Sequence, residues 1–259
     1  MHQATTDHMD FQAKNFSYVT KAFDEFIDQA AHGERLYLRS LSSSKPSELP
    51  ADITRDFPSI AADFRLPPEL RLVVENAHSS PLRISGPVIM WLHYDVSLCS
   101  TTAILPLITT AQVMANILCQ IRGSKRLLLF PPSDVQYFQL EPGASSSSVN
   151  VFDKLEEYIA AGAHPHEALL SPGDILFLPP LWLHTAMPIS GMSVAVNLFF
   201  RNLQAGYSAG KDVYGNRDLQ AYEKGRQDIA KMVRSLDSLP ADVRGFYLQR
   251  LVQELEQKL

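Results

Sequence analysis

The sequence predicts a mainly β protein: an antiparallel sandwich or barrel, with the jelly roll the leading candidate, flanked by helices. Three observations point there. Short runs rich in Val, Ile, Leu and Phe recur between Arg83 and Arg201. Gly, Pro, Ser and Asp turns bound those runs. Before and after them the apolar residues fall at helical spacing instead.

In chain order, Phe23, Phe26 and Ile27 sit at helical spacing, and Glu34–Leu38 reads as a short strand opening into the Ser/Pro-rich loop Ser42–Pro50. Pro67 and Pro68 interrupt Asp63–Val74, which reads as a turn plus a short element. The strand candidates are Val88–Asp95, Ile117–Ile121, Lys125–Phe130, Ile175–Leu178 and Val194–Phe200. Their turns include Arg122-Gly123-Ser124, Pro131-Pro132-Ser133-Asp134 and Ser171-Pro172-Gly173-Asp174. The Ser145–Ser148 run reads as a flexible loop. Leu219, Tyr222, Ile229, Val233 and Leu236 mark one amphipathic helix. Val243, Phe246, Tyr247, Leu251 and Leu255 mark a second, started by Ser238 and Pro240. These two helices either cover the barrel or pair with another subunit. The expected division is an N-terminal mixed region packing on the barrel (1–82), the barrel (83–202) and a C-terminal helical region (203–259).

Composition excludes several classes. A chain of 259 residues with 46% hydrophobic residues can build one large domain or two small ones. No apolar run reaches the ~20 residues of a membrane helix, and the first thirty residues lack the pattern of a secretory signal. Two cysteines, Cys99 and Cys119, make no disulfide framework. That suits a reducing compartment, here expected to be the cytoplasm, with the nucleus left open. The net charge of -5 does not announce a nucleic-acid binder, so any such surface must be a local patch. A Gly-rich phosphate loop, a G-x-S-x-G elbow and a C-x-x-C pair are all missing from the sequence.

The strongest chemical signal is Trp91-Leu92-His93-Tyr94-Asp95 at a predicted strand end. Residues two apart on a strand share a face, so His93 and Asp95 converge. His184 lies just past another β run. Two histidines and a carboxylate are the facial ligand set of non-haem Fe(II), which leaves positions open for a chelating cosubstrate and dioxygen. The bland alternative for an H-x-D pair is a solvated strand end or a hydrogen-bonded core histidine. Lys125 shares a face with Leu127 and Leu129. It either snorkels from the strand end or stands inside the barrel to pair with a cosubstrate carboxylate. Asn116 and Tyr37 offer neutral polar groups for such a site, or serve the turn and core. Gly173-Asp174 reads as a structural turn, and Trp91 and Trp182 as core or pocket wall. His2, His8, His32, His78, His164 and His166 lie in segments without strand context, and His164-Pro165-His166 reads as a solvated loop.

Together these motifs resemble the Jumonji-C or cupin-like 2-oxoglutarate oxygenases. The carrying segments are His93-Tyr94-Asp95, Asn116–Arg126, Phe130–Asp134, Pro172–His184 and Val194-Ala195-Val196-Asn197. Within that family the chain resembles the tRNA wybutosine-synthesising branch more than the asparaginyl hydroxylase of hypoxia signalling. Tyr37-Leu38-Arg39-Ser40-Leu41 and Asp212–Asp218 carry that likeness, as does the helix with Leu239-Pro240, Arg244 and Phe246-Tyr247. The resemblance implies a double-stranded β-helix with a C-terminal helical extension. It implies Fe(II) ligands at His93, Asp95 and His184, and 2-oxoglutarate contacts at Tyr37, Asn116 and Lys125, the lysine facing the distal carboxylate. The implied reaction consumes O2 and 2-oxoglutarate to hydroxylate the modified guanosine beside the tRNA(Phe) anticodon. Other expectations kept beside it are a protein side-chain hydroxylase and a non-catalytic module of a methyltransferase fusion. The helices after Leu219 suggest a homodimer, and no membrane partner is expected.

One stretch departs from the family. There the asparagine follows the aspartate of His-x-Asp after three residues, whereas here Val96–Gln112 intervenes. Removing those seventeen residues restores Asp95-Val113-Met114-Ala115-Asn116. Valine and serine codons can read GTNAGT and a glutamine codon CAG, so the segment fits an in-frame retained intron. The competing reading is a genuine loop insertion, which chain thermodynamics tolerates. Either way the expectation is a preserved fold with impaired activity.

Overall fold

The computed structural model describes residues 1–10, 13–45, 49–70, 77–90, 92–93, 114–141, 144, 146–189, 191–201 and 217–258. Among them, two antiparallel sheets face each other. The larger runs in the order β11 (Ile175–Leu178), β7 (Met114–Arg122), β13 (Ser193–Arg201), β5 (Leu82–Ser85), β3 (Leu36–Arg39), β1 (His2–Ala4) and β2 (Phe16–Tyr18). A further strand, β4 (Ala77–Ser79), pairs β13. The smaller runs β10 (His166–Leu170), β8 (Lys125–Phe130), β12 (Leu183–Pro188), β6 (Leu92–His93) and β9 (Ser146–Ser147). Two facing antiparallel sheets with non-sequential neighbours are the jelly-roll architecture.

Burial explains the sequence texture. β8 is covered on both faces, so it reads as a nearly continuous apolar run rather than an alternating one. Leu127 and Leu129 meet Leu118, Leu178 and Ala195 of the opposite sheet. Leu128 and Phe130 point outward into a second cluster with Phe138, Val151 and Ala163. Each fully buried Leu or Phe contributes roughly 1.5–3 kcal/mol. The outer face of the larger sheet is capped by the helix Phe23–Ala31 through Phe26 and Ala30, which pack on Leu36, Leu82, Ile84 and Val196. β11 is an edge strand whose outward Phe177 stays exposed. β7 turns into β8 at Arg122-Gly123-Ser124, where Gly123 has φ +69° and an added Cβ would stand 2.5 Å from the Met192 carbonyl oxygen. Only glycine takes that conformation and approach without strain.

Several expectations are corrected. The serine run is not a loop throughout: Ser146 and Ser147 are buried and pair with β6, Leu92 opposite Ser147 and His93 opposite Ser146. His2 and His166 are not outside strands. His2 lies in β1 opposite Tyr37, and His166 opens β10 with its ring 5.2 Å from that of Trp182. His164 does stay in an exposed loop as expected, with its backbone N–H and ring Nδ1 held by the carboxylate of buried Asp134. Of the run Val88–Asp95, only Leu92–His93 is a described strand. Met90 nevertheless hydrogen-bonds to the Ala186 carbonyl at 2.9 Å. The helix Ala241–Glu256 buries none of its residues, and Phe246 and Tyr247 stay exposed, so it does not seal the barrel. Trp91, Tyr94, Asp95, Cys99 and the whole of Val96–Gln112 lie outside the described residues.

Candidate active site inside the barrel

Strand alternation aims a set of polar side chains between the sheets. On β8 the inward positions are Lys125, Leu127 and Leu129; on β12 they include His184 and Ala186. Leu127, Leu129 and Ala186 belong to the inter-sheet cluster, which fixes the inward direction of their neighbours two residues away. From the larger sheet come Tyr37 on β3, Arg83 on β5, Asn116 on β7 and Asn197 on β13. Tyr37 packs with Val88, Met90 and, across the interior, Ala186.

The register joins the two histidine positions that the sequence singled out. His184 of β12 stands directly opposite His93 of β6, although ninety-one residues separate them. Only the backbone of His93 is described, and Asp95 lies outside the described residues. Among the described residues no three His, Cys, Asp or Glu side chains converge. His184 itself fits a metal. It is buried, and its Nδ1 lies 3.0 Å from the Trp182 carbonyl oxygen. A carbonyl can only accept, so Nδ1 carries the proton and the lone pair falls on Nε2. This is the outer-shell arrangement that orients a ligating imidazole.

Asn116, only 1% exposed, takes a hydrogen bond at 3.0 Å from the Asn197 amide. The Asn197 Oδ1 is buried with no hydrogen-bond partner among the described residues. Lys125 is 8% exposed, and no described residue gives it a hydrogen bond or an ion pair. Burial, followed by the nearby Arg83 guanidinium, pushes its ammonium down from 10.5 to about 7. Both effects act against the charged form. Arg83 Nη1 donates to the Tyr37 hydroxyl at 3.0 Å. Its guanidinium lies over the Phe199 ring, 5.7 Å from the centroid.

The structure thus brings Tyr37, Asn116, Lys125 and His184 to one interior and pairs the backbone of His93 with that of His184. The sequence marks Arg83 only as the start of the β region and His2 as a residue without strand context, yet the His2 ring sits 5.7 Å from that of Tyr37. The period-two pattern Arg83–Ser85 was the available signal for Arg83. A buried lysine beside a half-buried arginine, an oriented imidazole and the Asn116–Asn197 pair make an interior suited to an anionic small molecule beside a divalent metal.

The Cupin-like domain model matches residues 1–206. The chain is 60% identical over 262 residues to tRNA wybutosine-synthesizing protein 4 of Aspergillus fumigatus, covering 99% of this chain and 25% of that protein. With the Neurospora crassa protein of the same name the identity is 56% over 265 residues, covering 100% and 20%. With tRNA wybutosine-synthesizing protein 5 of Homo sapiens it is 34% over 271 residues, covering 100% of this chain and 79% of the human one. The chain spans about a quarter of the length of the fungal relatives and most of the human one. No helix among the described residues is long and apolar enough to cross a membrane. The barrel topology and these matches agree: the chain belongs to the cupin-like domain family, in the group that holds the tRNA wybutosine-synthesizing proteins.

Proposed function

We propose that the chain is an Fe(II)- and 2-oxoglutarate-dependent hydroxylase of the wybutosine pathway. It acts in the cytoplasm on the modified guanosine next to the tRNA(Phe) anticodon. The observation that carries this reading is buried Lys125, without an ion pair or hydrogen bond among the described residues, in the interior that also holds His184, whose Nε2 lone pair is set by the Trp182 carbonyl. A fold keeps a lysine there at considerable cost unless an anion is to join it. The names of the relatives supply the tRNA and the pathway.

In this reading His93, Asp95 and His184 hold the iron, and Tyr37, Asn116 and Lys125 hold 2-oxoglutarate. Bound iron supplies activation of dioxygen, coupled to conversion of 2-oxoglutarate to succinate and carbon dioxide, with one oxygen atom entering a substrate C–H bond. The chain's own residues bind and orient. Lys125 neutralises the distal carboxylate, the Asn116–Asn197 pair presents amide groups, and Leu118, Leu127 and Leu129 keep bulk water from the interior. The exposed apolar residues of Ala241–Glu256 suit a second copy of the chain, and light scattering on a chain truncated at Gly210 tests that pairing.

The deciding experiment incubates purified protein with Fe(II), 2-oxoglutarate and anticodon stem-loop RNA from cells lacking the modification. The expected result is succinate release together with RNA one oxygen atom heavier. Succinate release with the oxygen on a protein instead would favour the side-chain hydroxylase. Neither product from iron-loaded protein would favour a non-catalytic module.

A further inference from the structure

We infer that Arg83 is a second cationic contact for the cosubstrate and makes the pocket select 2-oxo acids that carry a second carboxylate. The inference rests on the cosubstrate reading above and adds a residue to it. Arg83 projects from β5 beside Ser85, on the interior side of the larger sheet, while its neighbours Leu82 and Ile84 point into the outer cluster. Two contacts hold it. Its Nη1 donates to the Tyr37 hydroxyl at 3.0 Å, and its plane rests over the Phe199 ring. A guanidinium clamped between a phenol and an aromatic face loses little further freedom on binding.

What these contacts leave over is the informative part. The Arg83 Nε is buried and has no hydrogen-bond partner among the described residues. Lys125 is buried too, without an ion pair or hydrogen bond among them, and Arg83 is the charge that acts on it. Two neighbouring cations in a low-dielectric interior repel, and among the described residues neither the Lys125 ammonium nor the Arg83 Nε has an acceptor. One anion answers both deficits: an oxygen for the ammonium and an oxygen for the idle N–H. Arginine is the side chain best shaped for a carboxylate approached this way. The guanidinium can only donate, so the Tyr37 oxygen accepts from it, which turns the phenol hydrogen away from Arg83. Arg83 therefore sets the polarity of a residue already assigned to the cosubstrate.

The test measures binding rather than turnover. Full-length protein loaded with Mn(II) is titrated calorimetrically with 2-oxoglutarate and with 2-oxovalerate, which matches it in length but lacks the distal carboxylate. Wild type is expected to prefer 2-oxoglutarate. In Arg83→Gln the Kd for 2-oxoglutarate should rise roughly tenfold or more, while that for 2-oxovalerate stays within about twofold. Arg83→Lys keeps a charge but loses the fork, and should fall between; it carries the test should the glutamine variant fail to fold. An equal loss for both acids, or no selective loss, overturns the role of Arg83. If Lys125→Met still loses 2-oxoglutarate selectively, the cosubstrate reading survives that failure. A wild-type protein that does not distinguish the two acids overturns both.

Discussion

Replacing Lys125 by Met should stabilise the protein in the absence of cosubstrate, and by an amount that depends on pH. The methionine keeps the length of the stem against Leu127 and removes a charge that burial and then Arg83 disfavour. In the unfolded chain the lysine stays protonated up to its ordinary 10.5, whereas in the fold it releases its proton near 7. Between these values the unfolded state binds more protons, so wild-type stability rises with pH across that window, and the contribution is lost as pH falls toward 7. At 1.36 kcal/mol per pH unit, the full shift sets a ceiling of roughly 5 kcal/mol. Exchanges of buried charge for apolar side chains usually return less, about 1–4 kcal/mol. Urea denaturation of both proteins at pH 6, 8 and 9.5 measures the difference. The Met variant should lead by about 1–4 kcal/mol at pH 6, and its lead should shrink steadily toward pH 9.5. A lead that does not change with pH, or a Met variant less stable at pH 6, would refute the argument. It would mean that an acidic partner already compensates Lys125 in the fold.

Other perturbations probe other parts of the account. His184→Ala should reduce Fe(II) or Mn(II) affinity by at least roughly a hundredfold with little loss of melting temperature, read by metal titration, since it removes one of the proposed ligands. Gly86→Ala should destabilise by about 2–4 kcal/mol, read by denaturation, because the added Cβ would stand 2.0 Å from the Glu34 carbonyl oxygen. Deleting Val96–Gln112 should raise turnover, because it restores the spacing from Asp95 to Asn116; equal turnover with and without the segment would contradict this. Genomic DNA should read GTNAGT at Val96-Ser97 and CAG at Gln112 if the segment is a retained intron.

Sequence legibility followed local physics. β8 and β11 match their predicted limits, Lys125–Phe130 and Ile175–Leu178, because apolar runs between strong turns leave little freedom. β7 and β13 extend past theirs, to Met114–Arg122 and Ser193–Arg201, since their ends are fixed by pairing partners rather than by their own composition. β1 and β2 carry no visible signal: three residues show no period, and β1 is held by pairing with β3 and β2 by pairing with β1. β9 was hidden because serine signals turns while its strand character comes from β6. In the site, Lys125 could be recognised by its alternation with two leucines. Arg83 had only the period-two pattern Arg83–Ser85 to mark it, since its partner Tyr37 is forty-six residues away and only the sheet brings them together. His166 was hidden for the same reason, its strand being defined by pairing with Leu129.

In the proposed function one ferrous ion sits between His93, Asp95 and His184, in an interior that Lys125 makes receptive to a dicarboxylate. Anaerobic titration of the full chain with Fe(II) in the presence of 2-oxoglutarate tests it most directly. One iron per chain is expected, bound more tightly with 2-oxoglutarate than without it, and lost in both His93→Ala and His184→Ala. Iron that binds equally well to those two variants, or that is indifferent to 2-oxoglutarate, would contradict it.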